Sequence, residues 1–161
     1  MASGKSSLGI LLADALGIDF IDLDKAIENK ERKTISEIFY GKGELYFRKK
    51  EGEVLNSTLD KNSFVLSTGG GTPCYGRNMQ SILSKSTHSI YLNLSIPSLV
   101  ERISNEQGTR PLVKHLSKDE LPEFIGKHLF ERSFFYRQAS LEINCDGKTM
   151  NQVVQEILTS L

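Results

Sequence analysis

Ser3-Gly4-Lys5-Ser6-Ser7, leading into Leu8, Leu11, Leu12, Ala15 and Leu16 at helical spacing, is the stretch whose reading decides the fold. It matches the second half of a phosphate-binding loop, G-x-x-x-x-G-K-[ST]. In such a loop backbone N–H groups and a helix N-terminus converge on phosphate oxygens. The Lys reaches the β- and γ-phosphates and the next hydroxyl ligates Mg²⁺, roles that fall here to Lys5 and Ser6. Gly-Lys-Ser also occurs in ordinary loops, so the surrounding chain has to decide. The motif's opening glycine, and the strand that delivers the loop, would fall before Met1.

Outward from this stretch the chain alternates helix and strand. Gly17 is placed to cap the first helix, and Ile18 to Asp22 is a short β-type run. Helices are expected at about 24–30, 34–40 and 44–59, with a break at Gly41-Lys42-Gly43 and a Thr34/Glu37 capping box. Phe64–Ser67 is a strand that opens into Thr68-Gly69-Gly70-Gly71-Thr72-Pro73, and a helix follows to about Ser84. Ser89–Leu92, a helix from Pro97, a helix over about 118–138, a strand at Leu141–Asn144 and a last helix at 150–160 complete the order. This is the rhythm of a parallel α/β sheet, in which ligands bind beyond the C-terminal strand ends. Asp22/Asp24, Gly69–Gly71, the polar 105–118 segment and the 145–149 turn all belong to that end.

With 161 residues, 39% hydrophobic and 25% charged, the composition fits one globular domain. Twenty basic residues balance twenty acidic ones, so there is no general drive toward nucleic acid or a membrane surface. No apolar run approaches the roughly 20 residues of a membrane span. Cys74 and Cys145 lack metal spacing, and a reducing cytoplasm is the expected compartment. His88, His115 and His128 form no ligand pattern.

Several polar residues could carry chemistry. Asp22 and Asp24, two apart at a strand end, can meet one ligand, one holding a metal-bound water and the other accepting a hydroxyl proton. Alternatively, Asp24 caps the helix that follows. Gly69-Gly70-Gly71 suits close approach of backbone to a ligand, or a plain turn. Arg48 and Glu51 share a helix face, and Arg48 either points into a cleft or forms a surface pair. Arg110 could close over phosphate or be solvated. Of Arg132 and Arg137, which flank Phe134-Phe135-Tyr136, one could face the cleft, and the pattern leaves open which.

Taken in order, these stretches resemble the shikimate kinase family over almost the whole length. They are Met1–Gly9, Phe20–Glu28, Ile35–Phe39, Gly43–Glu51, Ser67–Gly71, Arg110–Leu112 and Arg132–Arg137. The resemblance implies a three-layer α/β/α fold of P-loop NTPase type, with a parallel sheet of order 2-3-1-4-5. It also implies MgATP-dependent phosphorylation of the 3-hydroxyl of shikimate, in chorismate and aromatic amino-acid synthesis, by a monomer. Residues 1–161 would form one kinase domain, with a substrate-binding subdomain at about 24–60 and a lid at about 105–118.

Carried over by motif, Lys5, Asp24 and Arg110 would be catalytic. Ser3, Gly4, Lys5, Ser6, Ser7, Arg102 and Arg110 would bind ATP, and the 145–149 turn would border the adenine. Asp24, Arg48, Gly69, Gly70, Gly71 and Arg137 would bind shikimate, with Glu51 orienting Arg48. Ser6 and Asp22 would hold Mg²⁺, Asp22 through a water. Ala2 and Ser7 depart from the family's usual Gly and Thr. The alternatives are a gluconate or adenylylsulfate kinase of the same fold, or a non-catalytic nucleotide-binding relic. Because strand 1 of the family order is missing, Phe64–Ser67 and Ser89–Leu92 are expected to lie apart with a groove between them. The natural chain is then expected to begin roughly ten residues earlier.

Overall fold

The computed structural model describes residues 3–106, 116–117 and 119–161. Helix α1, Lys5–Leu16, follows Gly4, which sits at φ 79°, a left-handed conformation that glycine adopts without a Cβ clash. Gly17 closes it, its N–H reaching back to the Ala13 and Asp14 carbonyls. Strand β1, Asp19–Asp22, runs directly into α2, Leu23–Glu31. The cap of α2 is Asp22, whose carboxylate accepts from the Lys25 N–H at 3.3 Å. Asp24 lies inside the first turn, so the capping role considered for it belongs to its neighbour.

Helix α3, Ile35–Leu59, begins at the expected capping box of Thr34 and Glu37. It continues through Gly41 and Lys42 and breaks only at Gly43, at φ 78° and ψ 172°. Strand β2, Phe64–Ser67, leads through the glycines to a 3-10 turn at Thr72–Cys74 and to α4, Asn78–Lys85. Then come β3, Ile90–Asn93, and α5, Ile96–Glu106. Helix α6, Leu121–Tyr136, strand β4, Leu141–Asn144, and helix α7, Met150–Ser160, end the chain.

The strands pair in parallel as two separate ribbons. β1 runs beside β2 from Asp19–Phe64 to Asp22–Ser67, and β3 beside β4 from Ile90–Leu141 to Asn93–Asn144. Among the described residues no ladder joins β2 to β3. Between them lies a cavity of about 580 Å³, walled by Phe64, Val65 and Leu66 on one side and Ile90, Tyr91 and Leu92 on the other. Leu8 and Leu12 of α1 also line it. In the expected order β1 and β2 take positions 2 and 3, β3 and β4 take positions 4 and 5, and the cavity stands at position 1.

Two apolar clusters divide the interior. One joins α1, α5, α6, α7 and β4 around Leu8, Ile103, Leu121, Ile143 and Ile157. The other joins α2 and α3 around Leu23, Ile27, Ile38 and Leu55. β2 serves both, because successive side chains of a strand point to opposite faces. Val65 packs on the first cluster, Phe64 and Leu66 on the second.

Gly9 sets how closely α1 lies on β1. A Cβ there would stand 2.6 Å from Cε2 of Phe20. Gly9→Ala is therefore expected to destabilise by about 1–3 kcal/mol through overpacking, despite alanine's better helix propensity. Thermal melting checks this, and an unchanged or higher Tm would contradict it.

Candidate active site

The phosphate loop, the two aspartates and the glycine turn meet at the C-terminal ends of β1 and β2. Ser6 Oγ donates to Asp22 Oδ2 at 2.8 Å. The two residues expected to share Mg²⁺ therefore already touch, and Lys5 Nζ lies 3.4 Å from Ser3 Oγ. An oxygen-only pair of one hydroxyl and one carboxylate fits Mg²⁺, which keeps waters and takes one or two protein oxygens plus substrate phosphates. Among the described residues no cluster of three His, Cys, Asp or Glu side chains offers a dedicated metal cage. Arg102 stands beside the loop, since a Cβ on Gly4 would meet its Nη1 at 3.8 Å. A small cleft lined by Ser3, Gly4, Arg102, Cys145, Lys148 and Met150 opens there, on the side expected for the base.

Asp24 projects from the first turn of α2 toward Gly69. A Cβ on Gly69 would stand 3.3 Å from Asp24 Oδ1 and 3.7 Å from Glu51 Oε1, so the missing side chain leaves room for two carboxylates to converge. Burial raises the Asp24 pKa above its usual 3.8, the negative charges of Asp22 and Glu51 push it further, and Lys5 opposes them.

Arg48 is held from several sides. Its Nη1 donates to Glu51 Oε2 at 3.1 Å, and Glu51, only 1% exposed, also accepts from Thr72 Oγ1 at 2.7 Å. A buried carboxylate with a charged and a neutral donor is a satisfied one. The Tyr75 ring lies under the guanidinium, 3.8 Å from Cζ to the centroid. The far wall is α6, where the Tyr136 hydroxyl donates to the Gly70 carbonyl at 2.6 Å.

Not every expected site residue arrives. Arg137 is the exposed C-terminal cap of α6. Arg132 is partly buried on the face that lines the cavity, beside Tyr136, and its charge reaches Cys74, as does that of Arg48. Five residues along an α-helix turn a side chain about 140° around the axis. Arg132 shares its face with Ile125, His128 and Leu129 and Arg137 does not. That spacing was the signal available in the sequence. Arg110 and most of the 105–118 segment lie outside the described residues.

A parallel α/β layering with a Gly-Lys-Ser loop opening α1, and an Arg- and Asp-lined acceptor cleft opposite, defines a P-loop phosphotransferase. The shikimate kinase family profile matches residues 1–161. A shikimate kinase from Flavobacterium psychrophilum is 46% identical over 158 residues, covering 98% of this chain and 92% of the relative. One from Flavobacterium johnsoniae is 39% identical, covering 100% and 94%. The crystal structure of shikimate kinase from Bacteroides thetaiotaomicron superposes with a TM-score of 0.91 at 34% identity, covering 100% of this chain and 94% of that one. The Acinetobacter baumannii enzyme in complex with shikimate gives 0.88 at 30%, covering 99% and 87%. The chain belongs to the shikimate kinase family, phosphotransferases that use ATP with Mg²⁺. The gluconate and adenylylsulfate alternatives are not favoured.

Proposed function

We propose the following division of labour for ATP-dependent phosphorylation of the 3-hydroxyl of shikimate. Lys5 and the backbone N–H groups that open α1 hold the phosphates, with Ser6 and Asp22 as the Mg²⁺ partners. MgATP supplies the phosphoryl group and screens its charge. Asp24 holds the acceptor hydroxyl and takes its proton, while Arg48 holds the carboxylate, steadied by Glu51. Arg132, rather than Arg137, is the second basic residue of the clamp. Positioning and charge neutralisation are what this reaction demands of a protein. The observation that carries this division is the convergence of Asp24, Glu51 and Arg48 on Gly69–Gly71, next to the Ser6–Asp22 pair. Residues 24–60 form the acceptor-binding part. The protein works as a monomer in a reducing cytoplasm; among the described residues no helix is long and apolar enough to cross a membrane.

Arg48→Ala should weaken shikimate binding by about 1.5–3 kcal/mol, the worth of a hydrogen bond to a charged group. Nucleotide affinity measured by calorimetry should stay within about twofold. Because the deletion also leaves Glu51 buried without its cation, Arg48→Lys is the companion variant: it keeps the charge and loses the fork. Normal shikimate binding in both variants would contradict the clamp. Exchanging Arg137 for Ala should leave shikimate binding unchanged while Arg132→Ala weakens it.

A further inference from the structure

The Arg48 guanidinium has two edges able to take a carboxylate in fork fashion. The terminal edge faces Gly71: a Cβ there would stand 3.2 Å from Nη1 and 3.3 Å from Nη2, against 3.6 Å from Cζ, so a side chain at this position would crowd that edge. Nη1 is also committed to buried Glu51. The remaining edge, Nε with Nη2, is occupied. Both groups donate to one oxygen, Glu44 Oε1, each at 3.2 Å. The Tyr75 hydroxyl donates to the same oxygen at 3.0 Å. Glu44 is 54% exposed, Arg48 19%. Glu44 directly follows Gly43, where α3 breaks with φ 78° and ψ 172°.

We propose that Glu44 is an internal stand-in for the substrate carboxylate, held on the Nε–Nη2 edge of Arg48 until the acceptor displaces it, and so sets the affinity for shikimate. This rests on the clamp assigned to Arg48 above. The two carboxylates cannot share one edge, because like charges in contact repel and each needs the same two N–H groups. Glu44 is the replaceable partner and Glu51 the fixed one, since Glu51 is buried with Thr72 behind it. On displacement Glu44 moves into water, where its charge is cheap to solvate, while Tyr75 and Glu51 keep Arg48 in place. The device favours a carboxylate-bearing acceptor, which alone can take over the vacated donors, and it keeps the arginine aligned when no acceptor is there.

Glu44→Gln removes the competing charge and keeps the size. The KM for shikimate is expected to fall about two- to fivefold, the range an exposed ion pair spans, with kcat within about twofold. The KM for shikimate methyl ester, an acceptor without the carboxylate charge, should not move. Tyr75→Phe, which removes one donor from Glu44 and keeps the ring under Arg48, should lower the shikimate KM by a smaller factor. A shikimate KM that rises or stays constant in Glu44→Gln would overturn the proposal, making Glu44 a mere support for Arg48, and so would an equal fall for the ester. Failure of the clamp itself is separate: it would show as an unchanged shikimate KM in both Arg48→Ala and Arg48→Lys.

Discussion

Asp24→Asn is expected to lose at least about 10²-fold in kcat, the lower end of what a positioned general base contributes, because a loose phosphoryl-transfer transition state asks little of one. Nucleotide affinity should be unchanged, since the Ser6–Asp22 pair and the loop are untouched. The same substitution should stabilise the fold. Burial raises the Asp24 pKa above 3.8, Asp22 and Glu51 add to the rise, and Lys5 only partly offsets them. Between 3.8 and the folded value the native state then binds more protons than the unfolded chain. Stability contributed by this group is therefore present below 3.8 and is lost as pH rises through the folded pKa. Above the folded pKa the native protein carries the penalty of ionising Asp24 in its buried, negatively charged surroundings, and Asn removes it. The acid limb of the kcat profile should sit above the ordinary aspartate range and vanish in Asp24→Asn. Wild-type turnover by the variant would remove Asp24 from the chemistry, and a lower Tm at neutral pH would remove the stored penalty.

The parts of this site that could be read from the chain are those set by local chemistry. Gly4-Lys5-Ser6 must open a helix, Thr34 with Glu37 must start one, and Gly43 must interrupt one; each appears within a residue or two of its expected place. Asp22 and Asp24 were legible as a pair, but their roles were not, because capping depends on which residue the strand ends at. Arg132 against Arg137 was decidable only from the phase of α6. That phase was hidden by Phe130 and Phe134, which are apolar yet solvent-exposed and blur the periodicity. Glu44 and Tyr75 join Arg48 from separate places, one on α3 and one after the 3-10 turn, 31 residues apart. No spacing rule connects them. The groove between β2 and β3 followed from fold order alone.

That groove carries the other large effect. A chain extended ahead of Met1 by an apolar strand and a glycine turn is expected to be far more stable than the 161-residue form. The inserted strand would run parallel between β2 and β3 and pair with both, four residues on each side. Each net hydrogen bond adds about 0.5–1.5 kcal/mol. Filling the cavity adds more: at about 24 cal/mol per Å³, 580 Å³ corresponds to roughly 14 kcal/mol. That figure is an upper one, because the cavity opens onto the cleft at Ser3, Lys5, Gly69 and Gly70. Even a third of it rivals the roughly 5–15 kcal/mol that holds an ordinary domain together. A gain of about 5 kcal/mol should raise Tm by about 10–20 °C for a domain of this size. The inserted strand would also join the phosphate loop to the sheet, so turnover should rise with stability. The control is the same extension with proline at consecutive positions, whose N–H groups would otherwise point to β2 and β3 in turn, so that donors are lost on both sides. Hydrogen exchange supplies the local readout: amides of β2 and β3 should gain protection with the apolar extension and not with the proline form. If the two extended chains melt together, or if β2 and β3 are protected equally in all three proteins, the ribbons are stable as they stand and the groove is not a strand site.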